Sequence, residues 1–142
     1  MRPFYRIVLT LLAACVLPFT MQPHVVYAKT ETQAQCDAAF AAEDYVTVSV
    51  YCASASEEYA VDAEQESGVS RDADRGLQGL SLMQAAIANH QLSDDSKAGS
   101  QLDSAHDIFK DLLANGSSST IRSHAASSLK LCNKLIKLVG AN

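Results

Sequence analysis

A chain of 142 residues with formal charge −5, 11 bases against 16 acids, holds one ordinary domain and repels nucleic-acid phosphates. No tryptophan occurs and aromatics make up 6%, with abundant alanine and serine, which suits closely packed helices better than a sandwich of strands. The charge is also polarised: Glu31 to Ser70 carries nine acids and no Lys or Arg, while Leu112 to Asn142 carries only the bases Arg122, Lys130, Lys134 and Lys137. Either the two ends neutralise each other within the fold, or an acidic face meets a basic partner.

The N-terminus reads as a secretory signal. Arg2 and Arg6 form a positive n-region, Ile7 to Phe19 is mostly apolar but short for a bilayer span, and Val26-Tyr27-Ala28 offers a cleavage site. The expected organisation is a signal peptide over 1–28 and a single α-helical domain over 29–142. Cleavage after Ala28 leaves 114 residues with 9 bases and 16 acids, a formal charge of −7. A competing reading takes Leu12-Ala13-Ala14-Cys15 as a lipobox, with Cys15 acylated. An uncleaved anchor is the third. Each delivers the chain outside the cytoplasm, so the expected location is periplasmic or secreted, or lipid-anchored to the cell envelope.

Beyond Ala28 the cysteines are Cys36, Cys52 and Cys132, an odd number in an oxidising compartment. Thr32 to Ala42 is alanine-rich and predicts a first helix, with Cys36 and Phe40 on one face. The next stretch, VTVSVY (46–51), alternates like a strand. In a longer window Tyr45, Val48, Cys52, Ala55 and Tyr59 recur at steps of three and four, one apolar stripe of a helix. Asp44 stands ready as its N-cap. The spacing therefore predicts a second helix after a Glu43-Asp44 turn. In a hairpin, Cys36 and Cys52 each lie about two turns from that turn, roughly 11 Å along each axis, and so at one height. This predicts a Cys36–Cys52 disulfide. Cys132 falls in an apolar stripe and is expected to be buried and inert.

Ser67-Gly68 is expected to end the second helix, Gly68 as C-cap. The third helix is expected from about Arg71 to Gln91, with Leu77, Leu80, Met83 and Ile87 inward and Gly76 and Gly79 at close helix contacts. Ser93-Asp94-Asp95 caps a fourth helix carrying Leu102, Ala105, Phe109 and Leu112, which Asn115-Gly116 stops. The fifth carries Ile121, Ala125, Leu129, Cys132, Ile136 and Val139, ends at Gly140, and places its lysines toward the C-terminus, where the helix dipole favours them.

The first hairpin resembles a tetratricopeptide repeat. That family joins antiparallel helices through a Gly-Asp-Tyr-like turn, here Glu43-Asp44-Tyr45. The small residue of its second helix falls at Val48, the aromatic at Cys52 and the later small residue at Ala55. Leu102, Ala105, Phe109 and Leu112 repeat this spacing 57 residues on, against a family period of 34. The resemblance covers about residues 32 to 113 and implies a concave helical surface for peptides or proteins. The alternative architecture is a plain bundle closed on itself.

Chemistry-bearing clusters are sparse. Asp103, His106 and Asp107 share part of a helical face, but no H-x-x-x-H or paired Cys/His set accompanies them. Glu57 and Glu58 are adjacent and so point apart on a helix. Asn115-Gly116-Ser117 fits a glycosylation sequon, and it also serves as a helix stop. No phosphate loop, catalytic triad motif, metal site or cofactor is expected. The expected fold is all-α, about five helices in antiparallel hairpins. The expected role is a non-enzymatic interaction or adaptor module of a bacterial envelope, binding a protein or peptide partner with basic character. Its candidate contacts are Asp37, Glu43, Asp44, Glu57 and Glu58 with Tyr45 and Tyr51. Membrane contact is expected only through acylated Cys15 or the basic C-terminal helix. The alternative is a small-molecule carrier with an apolar pocket between Leu80, Met83, Phe109 and Ile136.

Overall fold

The computed structural model describes residues 30–140, so the readings at Cys15 and Ala28 lie outside the described residues. Five helices follow one another: α1 (Glu31–Ala41), α2 (Tyr45–Gln65), α3 (Gly68–Gln91), α4 (Asp95–Asn115) and α5 (Ser119–Val139). No strand occurs among the described residues, and the all-α expectation stands. VTVSVY is helical. The period-3.6 stripe of Val48, Cys52, Ala55 and Tyr59 is buried, and burial of a whole stripe outweighs the strand preference of three valines. The Asp44 carboxylate caps the helix by accepting from the Thr47 backbone N at 3.2 Å and the Thr47 hydroxyl at 2.6 Å.

Two turns are built alike. At the α1–α2 turn, Glu43 has φ 59° and the Asp44 N–H reaches back to the Ala39 carbonyl at 3.0 Å. At the α3–α4 turn, Ser93 has φ 64° and the Asp94 N–H reaches the Asn89 carbonyl at 2.8 Å. Asp94 caps α4 through the Lys97 N–H at 3.1 Å, as Asp44 caps α2. Equivalent positions are therefore fifty residues apart. Val48 matches Ala98, Cys52 matches Leu102, Ala55 matches Ala105 and Tyr59 matches Phe109. This replaces the 57-residue register read from the stripe alone. The α2–α3 joint also differs from expectation. Glu66 is the extended C-cap of α2, Ser67 is the N-cap of α3, and Gly68 opens α3 at φ +61°, a left-handed conformation that glycine adopts without strain.

Each helix packs on its neighbours in the chain, and α3 additionally touches α1 and α5. Neither α1 nor α2 packs against α5, and α2 and α4 do not meet, so the helices form an open array rather than a closed bundle. The central helix α3 is covered on most of its surface, which explains why Asp72, Asp74, Ser81, Gln84 and Asn89 are buried along with Leu80 and Met83. Against it lies the fully buried ring of Phe109, packed straight onto Gly79. A Cβ there would stand 2.6 Å from Cζ of that ring. Gly79 thus has the close-contact role expected of it.

Cys36 and Cys52 form the expected disulfide, with Cα atoms 4.9 Å apart and both side chains fully buried. Cys132 is buried, lies 3.4 Å from the Leu102 carbonyl, and has its thiol pushed up to about 12 chiefly by burial, with the Asp103 carboxylate adding to it. A thiol in that state is not nucleophilic at neutral pH.

Candidate functional site

Helix α2 breaks a local rule on its outer face. Val46, Val50 and Val61 are 64%, 58% and 53% exposed. Valine is a weak helix former, and here three of them gain little burial in return. Val46 and Val50 lie one i, i+4 step apart, and Ser54, Glu57 and Val61 continue that line along the helix. Tyr51, 37% exposed, lies beside them. A shallow groove of about 460 Å³ runs between the start of α1 and the second half of α2, lined by Thr30, Ser54, Glu57, Glu58, Val61 and Asp62. Its lining is apolar at Val61 and acidic at Glu57, Glu58 and Asp62.

The seven residues expected to contact a partner do not form one patch. Glu57 is exposed in the groove. Glu58 is half-buried beside it and accepts a 2.6 Å hydrogen bond from the Thr32 hydroxyl, which ties α1 to α2. Glu43 and Asp44 stand at the turn at the far end of α2, where Asp44 is occupied as the N-cap. Hydrogen bonds from the Thr47 side chain and backbone hold the Asp44 carboxyl below the usual carboxylate range. Tyr45 is half-buried against the core, and burial pushes its phenol up. Asp37 turns inward: its Oδ1 accepts from Gln33 Nε2 at 2.8 Å and from Gln84 Nε2 at 3.2 Å. Ser81 donates to Gln33 Oε1 at 2.7 Å, completing a buried polar network beside the disulfide. Of the seven, Tyr51, Glu57 and Glu58 belong with the valine face.

Reading the sequence missed Val46, Val50, Val61 and Asp62. The signal was present, because Val46 and Val50 lie off the buried stripe through Val48 and Cys52. It also missed Asp74, whose carboxyl is buried against α2 and pushed up to about 7 by burial and by the Glu66 and Asp62 carboxylates.

The basic end is a second shallow groove, about 420 Å³, between α4 and α5. Leu113, Ala126, Leu129, Lys130, Asn133, Lys134 and Lys137 line it. The ion pairs of Lys or Arg with a carboxylate among the described residues join Arg71 to Asp72 and Arg75 to Asp111, and His90 and His106 stand beside Asp95 and Asp107. None links the acidic first hairpin to the lysines of α5, and those elements do not touch. Among the described residues, then, the acidic hairpin and the lysines of α5 are not paired with each other.

Among the described residues no group of three His, Cys, Asp or Glu side chains is disposed to hold a metal ion, and no helix is long and apolar enough to cross a membrane. His90 Nδ1 lies 2.6 Å from Asp95 Oδ1 at the α3–α4 turn, and His106 Nδ1 lies 3.5 Å from Oδ1 of its own neighbour Asp107. Comparison with family models, with curated proteins and with solved structures finds no significant match.

Proposed function

We propose that this chain is an exported, non-enzymatic helical interaction module of a bacterial cell envelope, and that it docks a protein or peptide partner on the outer face of α2. The observation that carries this reading is the exposed outer face of α2, where Val46 and Val50 stand in water toward its start and Val61 lies among Glu57, Glu58 and Asp62 in the groove. Apolar side chains left in water favour a partner that covers them, and the acids around them favour a basic one. The open array supports the reading, since it leaves faces on α2 and α5 that no other helix covers. The relation to tetratricopeptide repeats belongs to this proposal as well. It rests on the repeated helical hairpin, whose spacing here is fifty residues rather than 34.

A carrier role gains no comparable support. Leu80, Met83 and Phe109 are fully buried, and the Phe109 ring occupies the space beside Gly79.

The test is native mass spectrometry of the full chain purified gently from its own envelope. The wild type is expected to retain a second polypeptide. Val50→Lys combined with Glu57→Lys is expected to lose it while circular dichroism keeps its helical signal. Partner retention, with unchanged salt dependence, after charge reversal at Glu57 and Glu58 would sink the proposal.

A further inference from the structure

We infer that the partner of the acidic α1–α2 groove is the basic α4–α5 groove of a second copy of this chain, giving head-to-tail self-association. The inference rests on the interaction reading above and names its partner.

Three observations carry it. The first is that the two grooves sit on parts of the array that do not touch, so neither can fill the other within one chain. The second is that their chemistry is complementary. One offers Glu57, Glu58 and Asp62 around an exposed Val61; the other offers Lys130, Lys134 and Lys137 beside Leu113, which is 39% exposed, and Leu129. The third is spacing. Glu58 and Asp62 stand one i, i+4 step apart on α2, and Lys130 and Lys134 stand one such step apart on α5. That is roughly 6 Å along each axis, so two helices laid side by side bring Asp62 and Glu58, whose Oε1 also accepts from Thr32, opposite both bases. Val61 meets Leu113 and Leu129 at the same time, and this valine, which gains little in the monomer, loses its water.

The two surfaces differ, so the contact is heterologous. Each added copy leaves one acidic and one basic groove free, and the assembly extends beyond a dimer. Salt should weaken it, because exposed charges steer and hold the contact.

Sedimentation velocity on the full mature chain tests this. At 50 mM salt the weight-average sedimentation coefficient is expected to rise with concentration past the dimer value. At 500 mM salt the association is expected to weaken about tenfold or more. Glu57→Lys with Asp62→Lys, and separately Lys130→Glu with Lys134→Glu, should each leave the chain monomeric and helical. Mixing the two variants should restore association, with both present in the complex. The neutral pair Glu57→Gln with Asp62→Asn should weaken association without abolishing helicity.

A wild type that stays monomeric at 50 mM salt overturns the inference. If that monomer still binds an amphipathic Lys–Leu helical peptide, and loses it on Glu57→Lys with Asp62→Lys, the interaction reading stands without the second copy. If it binds no such peptide, both fall. A dimer that survives both charge-reversed variants overturns the head-to-tail contact. A monomer whose α5 lysines instead bind phosphatidylglycerol vesicles also overturns it, in favour of lipid contact.

Discussion

Asp72 and Asp74 lie two positions apart on α3, both buried, and respond to pH in opposite directions. Burial works against the Asp72 carboxylate, but the Ser117 backbone N–H at 2.7 Å and the Arg71 guanidinium at 2.9 Å outweigh it and hold its pKa low. A depressed carboxylate contributes stability at neutral pH that is lost as pH falls through its folded pKa. Asp74 faces α2, where burial and the Glu66 and Asp62 carboxylates raise it from 3.8 to about 7. Its contribution is fully present below the unfolded value and is lost as pH rises through about 7. Asp74→Asn should therefore flatten the fall in stability between pH 4 and 7 and raise stability at pH 7.5 by about 1–3 kcal/mol. Urea unfolding at several pH values reads both effects. Asp72→Ala should lower stability at pH 7 by about 2 kcal/mol, because the Ser117 N–H loses a charged acceptor. Gly79→Ala gains helix propensity of roughly 1 kcal/mol but drives a Cβ into the Phe109 ring. A net loss of about 1–2 kcal/mol is expected in thermal melts.

At the scale of elements, the helices were legible because a buried stripe recurs every 3.6 residues, whatever the side chains' own preferences. The same periodicity hid the internal register. The stripe reading of 57 and the turn geometry of fifty differ by seven residues, two helical turns, and an apolar stripe shifted by two turns falls back on itself. Only the turns break the degeneracy, through Glu43 and Ser93 at positive φ followed by Asp44 and Asp94. Gly68 was misread because glycine serves either side of a short joint, and composition does not say which. The valine face went unread because the question at VTVSVY was strand or helix, not which side of the helix met water. The disulfide was legible from hairpin symmetry. It fastens α1, the shortest helix at 11 residues, which packs mainly on α2. Reduction should cost about 3 kcal/mol through the unfolded chain. Hydrogen exchange should then speed up in α1 while α4 and α5 keep their protection.

For the whole molecule, the open array distributes stability along one dimension. Each helix depends on its chain neighbours, and α3 alone is held by all four others. Nearest-neighbour coupling of this kind places the most stable segment in the middle. Amide exchange in the native state should be slowest in α3, from about Ala73 to Ala88, and faster toward α1 and the end of α5. Uniform protection across all five helices would contradict an open array.

The two hairpins solve one structural problem with different means. Where the second places Leu102, the first places Cys52, and its bond to Cys36 stands in for the surface that a short α1 leaves unburied. Making that bond removes two electrons and two protons from the pair of thiols. Maturation of the first hairpin, and of the groove it carries, therefore depends on an electron acceptor wherever the chain folds. Without one, the pair stays as two thiols and the hairpin lacks the roughly 3 kcal/mol of constraint that the bond supplies.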